Sequence, residues 1–224
     1  MKSNFVFLNS HFPVLENFGE LAERYLYSDS NSCLMKLGMI GETIVNLCFT
    51  YDKIPLPRDN TAVNRINSLF REGILTRDLV DILHALRKIR NKAAHENYAC
   101  VEDGKALLQM AHSLCEWFMQ TYGDWSYQNE PFVLPSQAQA FVSTDKRAEK
   151  TQEERLIKEA EKAALKAPAV EIEARKKQSG RAVSQRVKSE AETRYLIDEQ
   201  LRQVGWEADT EHLRYSKGTR PAKG

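Results

Sequence analysis

The chain has 224 residues, 42% of them apolar, and a formal net charge of +1. That length holds one or two domains, and so small a net charge provides no global field to draw the chain onto nucleic acid or an anionic membrane. No run of about 18 apolar residues marks a transmembrane span, and Asn4, Asn9, Ser10 and His11 interrupt the apolar stretch that a signal peptide would need.

Apolar residues concentrate in residues 1–142, which can bury a core; the stretch after Thr144 is dominated by charge. Pro13 opens a predicted helix over 13–28, with Val14, Leu15, Phe18, Leu21, Ala22 and Tyr25 on one face. The cluster Ser28-Asp29-Ser30-Asn31 signals a turn and a new start. Leu34, Leu37, Ile40, Ile44, Leu47 and Cys48 then recur at spacings of three and four. Pro55 and Pro57 punctuate the next loop. A shorter helix over about 61–72 carries Val63, Ile66, Leu69 and Phe70, and Gly73 ends it. Thr76 is the expected cap of a fourth helix with a stripe of Leu79, Ile82, Leu83, Leu86, Ile89 and Ala93. A fifth, from about Glu102, carries Leu107, Met110, Ala111, Leu114, Cys115 and Phe118. No segment alternates with period two, so the expected class is all-α, an antiparallel helical bundle.

Residues 126–142 lack helical periodicity and contain Pro131 and Pro135. An extended strap over the bundle is expected there, anchored by Phe132, Val133 and Leu134. From Thr144 to Glu192 thirteen basic and ten acidic residues occupy forty-nine positions. One reading is a solvated helical linker held by i,i+4 ion pairs. A second concerns Arg175, Lys176, Lys177, Arg181, Arg186 and Lys188: no acid interrupts that stretch, which could therefore sit on a phosphate backbone. Beyond it, Tyr195, Leu196, Ile197, Leu201 and Val204 define an amphipathic helix that stops at Gly205, with a basic, turn-rich tail after it. The four cysteines show no C-x-x-C spacing, which suits free thiols in a reducing, cytoplasmic setting and argues against a structural zinc site.

One constellation carries chemistry: Arg90-Asn91-Lys92-Ala93-Ala94-His95, at the end of the fourth helix. At about 100° per residue, Asn91 and His95 lie about 40° apart on one face. Arg90 lies further round, but its long side chain can swing toward the same groove. An imidazole, a five-donor guanidinium and an amide within reach of one phosphate suffice for metal-independent RNA cleavage. His95 would act as general base or acid, Arg90 would stabilise the phosphorane and Asn91 would fix the geometry. The competing reading is structural. Arg90 and His95, like Lys88 and Lys92 nearby, would serve the carbonyl end of the helix.

The R-N-x-x-x-H string at this position resembles the HEPN superfamily, whose ribonuclease members use this Arg and His and usually act as dimers with two motifs facing one cleft. The fuller strings LVDILHALRKIRNKAAHENY and MKLGMIGETIVNLC are similar to the HEPN-like module at the N-terminus of many type I restriction endonuclease R subunits. That resemblance covers roughly residues 1–140 and makes Glu42 a candidate polar group facing the motif. Glu190-Ala191-Glu192-Thr193-Arg194, Ile197-Asp198, Leu201 and Gly205-Trp206 resemble the opening helix of the nuclease domain of the same subunits. Gly218-Thr219-Arg220-Pro221 is similar to the loop that follows.

The resemblance thus implies three parts: a HEPN-like bundle with its strap (1–142), a charged helical linker (143–189) and the start of a nuclease domain (190–224). The Asp and E-x-K metal ligands of such a domain are absent, as is a G-x-x-x-x-G-K-[ST] loop. Mg2+ and ATP are therefore expected only for further domains, with no cofactor in this chain. The expected function is an assembly and nucleic-acid-binding module of a restriction complex. Its expected partners are other subunits or domains, DNA or RNA (Lys92 and the basic stretch making the contacts) and a second copy through the bundle, with no membrane. The alternatives are a HEPN-type ribonuclease and a non-catalytic helical interaction module, the last disfavoured because residues 145–190 hold few apolar a/d positions for a coiled coil.

Overall fold

The computed structural model describes residues 2–137, 146–186 and 188–208, which are all-helical. A single 3-10 turn at Val6–Leu8 precedes α1 (Pro13–Tyr25), α2 (Ser30–Asp52), α3 (Ala62–Arg71), α4 (Arg77–Glu96) and α5 (Val101–Tyr122). After these come α6 (Lys146–Lys166), α7 (Ile172–Ser184) and α8 (Glu190–Gln203). The chain divides into two compact units, one ending at Arg186 and one starting at Val187.

Local chemistry sets the helix ends. Pro13 sits in the first turn of α1, where a missing N–H costs nothing. The Asp29 carboxylate caps α2 by accepting the Ser32 amide at 3.0 Å, and Thr61 caps α3 by accepting the Asn64 amide at 3.3 Å. Gly73 (φ +74°) turns the chain out of α3 in the left-handed region open to glycine. Thr76 differs from expectation. It has cap backbone geometry, but its hydroxyl is buried without a hydrogen-bond partner.

α2 is the hub of the first unit, packing against α1, α3, α4, α5 and α6. Leu34, Leu37, Ile40, Ile44, Leu47 and Cys48 are all buried, and so are Gly38 and Gly41. A helix wrapped on so many sides is apolar all round. At 23 residues α2 is in fact long and apolar enough to cross a membrane by length and composition, a property missed by a search for an unbroken apolar run. In α3 only Ile66 and Leu69 of the expected stripe are buried; Val63 and Phe70 face outward.

The charged segment is helical, and each of its two helices lies against the bundle along one face while the other faces stay exposed. α6 packs on α1 and α2, and α7 packs on α5. Glu153 is buried in an ion pair with Lys36, Tyr25 donates its hydroxyl to Glu149 at 2.7 Å, and Ala164 is fully buried. On α7 the buried positions are Arg175, Ser179 and Ala182, spaced three and four apart along one face. Ser179 links two partners, accepting the Trp117 indole N–H at 3.0 Å and donating to the Ile74 carbonyl at 2.6 Å. Polar side chains dock these helices, which is why hydropathy alone makes them look solvated.

The strap also differs in its anchors. The Phe132 ring lies 5.4 Å from that of His112, but Val133 and Leu134 are exposed. Asn4 holds the strap through the main chain, accepting from the Val133 amide and donating to its carbonyl, both at 2.8 Å. Cys33, Cys48 and Cys115 are buried free thiols, each pushed up in pKa by burial, while Cys100 is half-buried.

In the second unit, Ser189 caps α8 by accepting the Glu192 amide at 3.1 Å, and Gly205 (φ +79°) ends the turn beyond it. Ile197, Leu201, Val204 and Trp206 are exposed. Residues 138–145 of the strap and linker, and the tail that includes Gly218-Thr219-Arg220-Pro221, lie outside the described residues.

Candidate functional site: an arginine-lined groove

The R-N-x-x-x-H string occupies the last two turns of α4. The carbonyls at this end are met by other groups than those expected. The Asn97 amide, in a left-handed cap, donates to the Lys92 carbonyl, and the Asn31 side-chain amide donates to the Ala93 carbonyl at 2.9 Å. Arg90 instead turns to α2. Its stem lies on Gly38, where an added Cβ would stand 2.3 Å from the Arg90 Cβ. Its guanidinium pairs with Glu42 at 2.5 Å. Glycine at position 38 is what lets the two helices come close enough for that contact.

Arg90 lines a cavity of about 220 Å³ between α2, α3 and α4, with Gly38, Gly41, Val45, Ile66 and Leu83 as its apolar wall. The same cavity receives Arg87 and Arg65. Arg87 precedes Arg90 by three positions, which sets the two about 60° apart on one face of α4. Arg65 reaches in from α3, donating to the side-chain oxygens of Asn60 at 2.7 Å and Asn46 at 2.5 Å. Both partners are neutral, so the charge of Arg65 is not cancelled. Three arginines against one glutamate leave the lining with a formal excess of two positive charges. His84, one turn before Arg87, is lowered in pKa by burial first and by the charges of Arg87 and Lys88 next.

His95 and Asn91 are exposed and do not line this cavity. At 100° per residue, five positions put His95 about 140° round the helix from Arg90. Within one chain, then, the arginine and the histidine of the motif face different surroundings. Lys92 is half-buried, with its ammonium 5.4 Å from the centre of the Tyr98 ring.

The basic stretch of α7 is divided by burial. Arg175 is 5% exposed and unavailable to a phosphate. It donates to Asp52 at 2.8 Å and to the Thr121 carbonyl, and lies 4.0 Å from the Tyr122 ring centre. Lys176 pairs with Glu173 at 2.7 Å, and Arg186 is half-buried and donates to Ser113 at 2.6 Å. Lys177, Arg181 and Lys188 remain exposed. Arg65, Arg87, Asn46 and Asn60 were not foreseen. The i,i+3 spacing of Arg87 and Arg90 was a legible signal, whereas the approach of Arg65 depends on how α3 packs.

The sequence matches a family and a known protein. The family described as Domain of unknown function (DUF4145) matches residues 20–151, more than half of the sequence, and the chain belongs to that family. The chain is also similar to the type I restriction enzyme EcoKI endonuclease subunit of Escherichia coli (strain K12), with 28% identity over 275 residues. That match covers 100% of this chain and 23% of the relative, so the chain spans less than a quarter of that protein's length. No solved structure matches.

Proposed function

We propose that the chain is an assembly and nucleic-acid-binding module of a type I restriction–modification system, working in the cytoplasm beside other subunits or domains of the complex. The similarity of the whole chain to part of a restriction endonuclease subunit supports the system. One observation favours binding over catalysis as the molecular role. Arg90 is committed to Glu42 and to a groove shared with Arg65 and Arg87, while His95 stands outside that groove. A guanidinium set of this kind contacts phosphates without a metal ion or ATP.

The test is fluorescence anisotropy with labelled single-stranded RNA, single-stranded DNA and duplex DNA at low and moderate salt. Binding that weakens with salt and weakens further in Arg87→Ala supports the reading; no binding to any polymer at low salt overturns it. The ribonuclease reading keeps one observation in its favour. His95 and Asn91 are exposed one turn apart. RNA cleavage in EDTA that disappears in both Arg90→Ala and His95→Ala would establish it in place of the binding role.

A further inference from the structure

The arginine-lined cavity is smaller than a drug-sized site, which runs to roughly 300–1,000 Å³. At about 220 Å³ it is a pocket for a compact group. Its donors are unevenly used. Glu42 takes an Nη of Arg90, yet the Nε of Arg90 is buried with no hydrogen-bond partner, and the Nε of Arg87 is in the same state. Arg87 makes no ion pair among the described residues. Buried N–H donors without partners are costly, by about 1–3 kcal/mol each, and rare in folded proteins. Three guanidinium groups around one cavity, with a formal excess of two positive charges, suit a dianion.

We propose that the cavity between α2, α3 and α4 is a binding site for a terminal phosphoryl group, met by the guanidinium groups of Arg65, Arg87 and Arg90 that line it. A phosphomonoester carries up to two negative charges and three oxygens that arginine forks can meet, whereas a phosphodiester carries one. Asn46 and Asn60 hold the Arg65 side chain in place before any ligand arrives, which limits the ordering entropy on binding. The group can come from a free mononucleotide or from the 5′ end of a strand. The proposal deepens the nucleic-acid reading above and rests on it for the strand end alone.

The 224-residue chain is titrated with adenosine 5′-monophosphate, adenosine, and one single-stranded DNA octamer prepared with a 5′-phosphate and with a 5′-hydroxyl. The phosphorylated member of at least one pair is expected to bind about tenfold more tightly, as charge-assisted hydrogen bonds of this kind imply. Preference confined to the nucleotide pair assigns the site to a free ligand, and preference in the octamer pair to a strand end. Arg87→Gln should erase the preference, so that the two octamers bind alike whatever their common affinity, and Arg87→Lys should retain part of it. Equal binding within both pairs, or a preference that survives Arg87→Gln with an unchanged circular dichroism spectrum, overturns the proposal. Salt-sensitive binding of both octamers without preference would leave the nucleic-acid reading intact and remove only the pocket.

Discussion

At the scale of single residues, burial decides what a charge does. Arg175 heads the longest acid-free basic run in the sequence, yet its guanidinium is an internal tie between α7, Asp52 on α2 and the Thr121 carbonyl on α5. Tyr122 completes the cluster by donating to the other Asp52 oxygen at 2.6 Å. Removing one partner of a buried ion pair strands the other, so Arg175→Met should cost about 3–5 kcal/mol in urea unfolding. It should leave the salt dependence of nucleic-acid binding unchanged. Glu116 and His112 are buried side by side, 3.8 Å apart, and are not an ion pair of this kind. Burial raises Glu116 to about 7, partly offset by the hydrogen bond from the Glu130 amide. Burial lowers His112 to about 4, partly offset by the Asn4 backbone. Between about pH 4.5 and 7 the folded chain keeps a Glu116 proton that the unfolded chain has released, so this stabilising contribution is lost as pH rises through 7. His112 acts oppositely: its contribution is present above 6.5 and lost as pH falls toward 4. Glu116→Gln should therefore gain on the wild type, by on the order of 2 kcal/mol, between pH 5 and pH 8. Urea midpoints at the two pH values check this; parallel changes would mean that Glu116 ionises freely.

At the scale of helices, the period of the apolar residues was enough to read α1 to α5, because each buries a stripe against the hub. The errors lie where a side chain other than an aliphatic one does the packing. Ser179, Arg175 and Glu153 dock α7 and α6 through polar atoms, and no hydropathy pattern announces that. The candidate site was legible in the same partial way. Arg90 could be singled out from the string around it, but its pairing with Glu42 depends on Gly38. Gly38→Ala should push the Arg90 stem off α2, costing about 1–3 kcal/mol as overpacking does. It should also loosen the Arg90–Glu42 pair, seen as a shifted Arg90 Nε–H resonance. An unmoved resonance would show that the helices absorb a methyl group there.

At the scale of the molecule, the composition break at Thr144 does not coincide with the edge of the compact unit, which runs on to Arg186. A chain ending at residue 137 would leave Asp52, Trp117 and Lys36 without Arg175, Ser179 and Glu153. Such a chain should have a distinctly lower urea midpoint than the parent. An equal midpoint would mean that α6 and α7 add nothing to stability.

The four thiols give the chain a built-in clock. A thiol–disulfide reagent attacks thiolate, and three of the four sulfurs are both shielded and discouraged from ionising. Modification at neutral pH should then be biphasic, with one equivalent reacting early at Cys100. The remaining three, at Cys33, Cys48 and Cys115, should react only as fast as the bundle opens. Because those sulfurs sit on α2 and α5, the slow phase times the opening of the hub itself, with no label added.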